Sequence, residues 1–302
     1  MFLRGSGSNW EVRAPAKVNL LLEVFARRSD GFHEIETLMI PISLCDTLYF
    51  ASRPATKRIE LRCQAIGSRP GTYSKFAGIP TGEENIVVQA VRRLREQAGT
   101  TAGAMIRLVK RIPLAAGLGG GSSDAAAALA VANLAWNIHW STDRLSSLAA
   151  ELGSDVPFFL GSGGAVCRGR GEQIRRVTGL GHLHLVVVKP PVGLATENVY
   201  ADVRSTTKPR KVAPLIHALQ RGDMNIVGRL MHNQLQKAAE RLTPWIERLI
   251  QEFNKLDCIG HQMTGSGSSY FGIFRSARHA RCIATKLRSR DIGSVFVTCS
   301  CQ

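Results

Sequence analysis

The sequence predicts an α+β protein built as two domains. Three observations carry that reading. Strand-type runs gather ahead of the helical ones in the first half, so the elements do not alternate as in a doubly wound sheet. The 302 residues exceed what one domain usually holds. A small-residue segment, Gly161-Ser162-Gly163-Gly164, marks a candidate boundary and divides 1–164 from 165–302.

The elements follow in order. Val12 to Phe25 reads as a strand pair or one long bent strand interrupted by Pro15, and Arg27 to Gly31 as a turn. Ile35 to Leu44 returns as a strand, with further β signal from Asp46 to Cys63. Gly67 to Gly82 is rich in Gly, Pro and Ser and reads as a loop. Ile86 to Ala98 carries apolar residues at helical spacing with arginines opposite. Ala104 to Val109 reads as a strand, Ser122 to Trp136 and Thr142 to Leu152 as helices. Beyond the boundary, Ala165–Arg168 and Leu183–Val188 read as strands, and Val212–Gln220, Asn225–Ala239 and Thr243–Leu256 as helices. Two strands flank the turn Gly265-Ser266-Gly267-Ser268, at Gly260–Thr264 and Ser269–Phe274. A helix, Ala277–Arg290, and a strand, Ser294–Cys299, close the order.

Bulk properties narrow the function classes. No run approaches the roughly 18 apolar residues of a membrane span, and Met1 to Trp10 lacks the apolar core of a secretion signal. The seven cysteines are odd in number and follow no framework spacing, which fits reduced thiols in the cytoplasm. The terminal Cys299-x-Cys301 pair is weak evidence for a metal. A net charge of +16 invites a nucleic-acid partner. The basic residues, however, lie scattered on the polar sides of amphipathic patterns, with no aromatic-and-basic cluster for base stacking. An enzyme handling polyanionic small molecules is the better fit, and neither nucleic acid nor membrane is expected as a partner.

The most informative stretch runs from Pro113 to Leu129, P-L-A-A-G-L-G-G-G-S-S-D-A-A-A-A-L. Gly117, Gly119, Gly120 and Gly121 let backbone N–H groups approach a ligand closely. Ser122 or Ser123 can cap the helix that the alanines favour. A glycine nest opening a helix is an anion site, with phosphate the expected anion. No Lys follows Gly121, so the Walker pattern is absent, and Ser122 stands where a dinucleotide fingerprint needs its third glycine. The H-R-D and D-F-G signatures of protein kinases are missing as well.

Two ionisable residues stand out from the rest. Asp155, in G-S-D-V-P beside Phe158 and Phe159, is either a turn-forming aspartate or a carboxylate kept in apolar surroundings for a cation partner or a task. Lys17, in A-K-V-N-L, is either a strand-edge charge or a buried cation facing a carboxylate.

The loop, together with Ala14-Pro15-Ala16-Lys17-Val18-Asn19-Leu20 and Met263-Thr264-Gly265-Ser266-Gly267-Ser268-Ser269, resembles the three motifs of the GHMP kinases, in the same order. Arg28 to Glu34, Gly153 to Pro157 and the doubled glycine of G-L-G-G-G-S-S resemble the branch acting on cytidine diphosphate-linked methylerythritol. The resemblance implies a domain like the second domain of ribosomal protein S5, then a ferredoxin-like domain, with the active site in a cleft between them. It implies phosphorylation of the substrate's 2-hydroxyl by ATP with Mg²⁺, in a monomer or weak homodimer.

Roles follow from the same resemblance. Pro113, Ala115, Ala116, Gly117, Leu118, Gly119, Gly120, Gly121, Ser122 and Ser123 match the ATP loop, a serine hydroxyl going to a phosphate or to Mg²⁺. Asn85 and Lys110 match adenine-side contacts, an ordinary strand-end lysine being the alternative at 110. Asp155 matches the residue that takes the hydroxyl proton, Lys17 its cationic partner, and Asn19 a substrate contact. Phe32 and His33 match the cytidine pocket, where relatives more often carry Tyr at the first position. Thr196 and Tyr200 match a polar contact and a second aromatic wall. Gly265 and Gly267 back a phosphate site or form a plain hairpin turn. The Mg²⁺ ligands stay unassigned, and Asp124 beside the loop either serves there or only favours the helix start. The rival readings are another GHMP kinase, for homoserine, mevalonate or a sugar, and a basic nucleic-acid-binding protein on a relic kinase fold.

Overall fold

The structure, a computed structural model, describes residues 1–66, 79–203 and 209–301. Most of the expected Gly67–Gly82 loop therefore lies outside the described residues. The chain forms two compact units. The first takes Met1–Ala16, Leu44–Leu114 and Gly119–Ser162; the second takes Lys17–Ser43, Ala115–Leu118 and Gly163–Gln302. Two long strands, β2 (Asn9–Arg27) and β3 (His33–Arg53), contribute residues to both.

In the first unit, β1 (Phe2–Ser6) pairs antiparallel with the start of β2, from Phe2 opposite Arg13 to Ser6 opposite Asn9. The far half of β3 pairs antiparallel with β5 (Gly103–Lys110), and β4 (Ile59–Ala65) lies parallel to β5 on its other side. Helix α1 (Ile86–Ala98) starts at Asn85, whose side chain accepts from Val87 N, and stops at Gly99 in the left-handed region. Helix α2 (Gly120–Ala135) is the central one. Ala125 to Leu129, Val131 and Ala132 are all fully buried, so it is apolar nearly all round and packs against α1, α3 (Thr142–Leu152) and α4 (Val156–Leu160). Its alanines let those neighbours approach closely.

In the second unit, β6 (Gly164–Gly169) pairs with Ile35–Met39 of β3 and with β7 (Gln173–Val177). A four-stranded antiparallel sheet runs β10 (Gly260–Met263), β11 (Tyr270–Phe274), β8 (His184–Lys189), β12 (Ser294–Cys299). The helices α9 (Pro244–Asn254) and α10 (Ala277–Arg288) pack on it. Val186, Val188, Leu249, Phe253, Ile283 and Leu287 fill the layer between them. The remaining helices of this unit are α5 (Thr196–Ala201), α6 (Val212–Gln220), α7 (Met224–Leu230) and α8 (Gln236–Leu242).

Three expectations are corrected. Pro15 does not interrupt the first strand: it lies past Arg13, where the β1 register ends, so it displaces none of those bonds. The expected helix Asn225–Ala239 is two helices, α7 and α8, separated by β9 (His232–Asn233). Those two residues pair with Leu21 and Leu22, and Gln234 N bonds Leu22 O at 3.0 Å, so their backbone joins a strand instead. Neither Ser122 nor Ser123 caps α2. Gly119, at φ +68°, is the N-cap, and both serines sit inside the first turn. The left-handed glycine starts the helix earlier than any serine cap would.

Candidate active site

The second unit brings parts of all three sequence motifs together. Lys17 N donates to Leu118 O at 2.9 Å, and Ser269 N to Ala116 O at 3.2 Å, so the loop tip Ala115–Leu118 is stitched to β2 and to the residues just before β11. Gly117 (φ +71°) leaves no space for a side chain, because a Cβ would strike Thr264 O. At Gly265 (φ +55°), a Cβ would sit 2.8 Å from Gly117 O and 3.2 Å from Lys17 Nζ. The two glycine turns thus interlock beside the Lys17 ammonium. Gly267 (φ +83°) is enclosed by Met263 and Leu194.

A buried polar network fixes Lys17, which is 4% exposed. Its Nζ donates to Asn19 Oδ1 at 2.7 Å. The Asn19 Nδ2 donates to Thr37 Oγ1 (2.8 Å), and Thr37 Oγ1 in turn to Leu21 O (2.6 Å). Thr264 Oγ1 accepts from Asn19 N at 3.1 Å and donates to Asn19 Oδ1 at 3.2 Å. Both polar ends of the Asn19 side chain are engaged by protein groups, and the residue is 1% exposed. In this geometry Asn19 orients Lys17.

Asn233, inside an expected helix, is a further residue of this site. Its Nδ2 donates to Met263 O at 2.8 Å and Gly265 O at 2.9 Å, while its Oδ1 accepts from Leu235 N at 3.0 Å. One amide therefore holds the second glycine turn in place. The available signal was an asparagine inside a presumed helix, where that side chain competes with the backbone.

The aromatic residues divide. The rings of His33 and Tyr200 stack with centroids 5.5 Å apart. Phe32 is half exposed, and the Arg170 guanidinium lies 5.0 Å from its ring centre. Thr196 Oγ1 and Ser266 Oγ share a 2.9 Å hydrogen bond, which puts Thr196 against the second glycine turn.

In the first unit, Gly119–Ser123 open α2; the amides of Gly120 to Ser122 have no partner within the helix, and Ser123 N makes its first bond, to Gly119 O at 2.9 Å. The Ser123 Oγ is buried with no partner among the described residues. Pro113 is half-buried where the chain leaves β5. Asn85 is committed to capping α1, and its Nδ2 also holds Pro80 O at 2.6 Å. The Lys110 ammonium is 2% exposed and bonds the carboxylates of Asp46 and Asp124. Burial drives the Asp124 carboxyl up to about 8 against the pull of Lys110, and the nearby Asp46 pushes it the same way. Asp155 stands at the N-cap position of α4, half-buried, and makes no capping bond to that helix. Val156 to Phe159 behind it are buried. Among the described residues no group of three or more His, Cys, Asp or Glu is placed to hold a metal.

Comparisons with known proteins give the family. A family model described as the GHMP kinases N terminal domain matches residues 85–163, and one described as GHMP kinases C terminal matches 215–292. The 4-diphosphocytidyl-2-C-methyl-D-erythritol kinase of Pelotomaculum thermopropionicum is 40% identical over 92% of this chain and 93% of its own. The kinase of the same name from Shouchella clausii is 36% identical over 92% and 90%. A crystal structure of 4-(cytidine 5'-diphospho)-2C-methyl-D-erythritol kinase, 36% identical, superposes with a TM-score of 0.78 over 97% of this chain and 99% of that one. Homoserine kinase from Cytophaga hutchinsonii shares the fold at 21% identity and a TM-score of 0.72. With a glycine-loop helix start, a buried oriented lysine and these relatives, the chain belongs to the GHMP kinases, in the branch of the 4-diphosphocytidyl-2-C-methyl-D-erythritol kinases.

Proposed function

We propose that the chain transfers the γ-phosphoryl group of ATP to the 2-hydroxyl of 4-diphosphocytidyl-2-C-methyl-D-erythritol, a step of the non-mevalonate isoprenoid route. The observation that carries this reading is the buried Lys17–Asn19 pair beside two interlocked glycine turns. Relatives of that name over nine-tenths of the chain supply the substrate.

The substrate oxygen attacks the γ-phosphorus, the bond to the β-bridging oxygen breaks, and ADP leaves. Asp155 accepts the hydroxyl proton. Lys17, aimed by Asn19, offsets charge on the transferred group. The amides of Gly117 and Gly119–Gly121 and the start of α2 hold the phosphates, and the orphaned Ser123 Oγ suits a phosphate oxygen. Magnesium arriving with ATP would neutralise phosphate charge. His33 and Tyr200 form the cytosine wall, with Phe32 at its edge. Asn85 lies on the adenine side, and Lys110, buried with Asp46 and Asp124 beneath Gly120, supports the loop from below instead of reaching the base.

The division into domains at residues 164 and 165 is retained in this proposal, supported by family matches that end at 163 and begin again at 215. We place the protein in the cytoplasm as a monomer or weak homodimer. No helix among the described residues is long and apolar enough to cross a membrane.

An ADP-release assay with the cytidine substrate, homoserine, mevalonate and galactose tests the reading. Release with the first alone is expected. Release with one of the others alone assigns the chain a different acceptor. No release with any, together with steeply salt-dependent RNA or DNA binding, overturns the kinase reading.

A further inference from the structure

The glycine loop is pinned at both ends by a buried ion network whose anchor lies far from it in sequence. Asp46, on β3, is 0% exposed. Its Oδ1 accepts from Arg111 N and, at 2.9 Å, from Ile112 N; its Oδ2 accepts from Lys110 Nζ. These three donors are the last residues before Pro113 and the loop. The same Lys110 Nζ donates at 2.5 Å to Asp124 Oδ2, in the first turn after the loop. Ile112 and Lys110 also lie directly under Gly120: a Cβ there would meet Ile112 Cγ2 at 2.9 Å and Lys110 Nζ at 3.4 Å. A cation under a helix N-terminus is unfavourable by itself; the Asp46 carboxylate offsets it, and the Asp124 carboxyl gives the ammonium a second hydrogen-bond acceptor. Removing one partner of such a buried network leaves the others uncompensated.

We propose that Asp46, with Asp124, is a positioning residue for nucleotide binding: through Lys110 and the amides of Arg111 and Ile112 it sets the distance between the strand that delivers the loop and the helix that receives it. The inference rests on the reading of that loop as the ATP site. Misplaced α2 amides would weaken contacts to the phosphates and leave recognition of the acceptor alone.

The test is calorimetric titration of the full-length protein with an imido-bridged, non-hydrolysable ATP analogue. Asp46→Ala and the milder Asp46→Asn are compared with wild type, each well below its melting temperature. KM for ATP and for the acceptor are measured alongside. The dissociation constant and KM for ATP are expected to rise at least tenfold in Asp46→Ala and less in Asp46→Asn, with acceptor KM within about twofold. Should Asp46→Ala not fold, Asp46→Asn carries the comparison. Unchanged nucleotide binding in a folded variant, or equal losses for both substrates, overturns the positioning role alone. Failure of wild type to bind the analogue overturns this role and the ATP reading together.

Discussion

Asn19 Oδ1 lies 2.7 Å from Lys17 Nζ, and this bond gives the buried ammonium its direction. Thr37 and Thr264 hold the asparagine, so the cation is aimed before any ligand arrives. Preorganisation of this kind avoids reorganising charge during the reaction. Asn19→Ala removes an acceptor bonded to a charged group, worth about 1.5–3 kcal/mol. The expected result is a fall in kcat of roughly 10- to 100-fold, with ATP KM changed far less. Steady-state kinetics check this, and an unaltered kcat would count against the orienting role.

Asn233 supports the same region from behind. Asn233→Ala leaves two buried carbonyls, of Met263 and Gly265, without their donor. The expected loss of stability is about 1–3 kcal/mol, read as a lower urea midpoint with unchanged slope. Asn233→Asp should be worse, because it sets a carboxylate against two carbonyl oxygens.

Much of this was legible in the sequence. Helix α1 and strand β12 match their expected limits because periodicity and flanking signals agree there. The three motifs singled out Lys17, Asn19 and both glycine turns, but the bonds from Asn19 to Lys17, Thr37 and Thr264 and the close fit of the two turns were not expected from them. The rest depended on distant partners. Nothing local shows that Lys110 is engaged by Asp46 and Asp124, since the first of these lies on another strand. The break at His232–Asn233 is made by pairing with β2, a tertiary effect that overrides helical spacing. Strand β7 escaped notice because its arginines mask the alternation.

The Asp124 carboxyl, raised to about 8 by burial, makes stability depend on pH. Asp46 and Lys110 face it, and the Cys63 thiol senses its charge. The folded state keeps a proton that the unfolded chain releases near 3.8. Stability from this group is therefore complete below that value, falls as pH rises, and levels off above about 8. Asp124→Asn, which stays neutral, should flatten the decline in melting temperature between pH 5 and 8. An identical slope in the variant would contradict the assignment.

His33 and Tyr200 stack in the proposed cytosine wall. His33→Ala should raise KM for the cytidine substrate by about tenfold, the value of one or two lost contacts, and leave ATP KM unaffected. Equal changes in both constants would remove His33 from the acceptor side.

The central claim is that Asp155 takes the hydroxyl proton during transfer from ATP. The most direct measurement is ADP release by Asp155→Asn with saturating ATP and the cytidine substrate, its fold verified by circular dichroism. A loss of roughly 10²- to 10⁴-fold in kcat is predicted, the usual contribution of a general base. Full activity in the folded variant would contradict it.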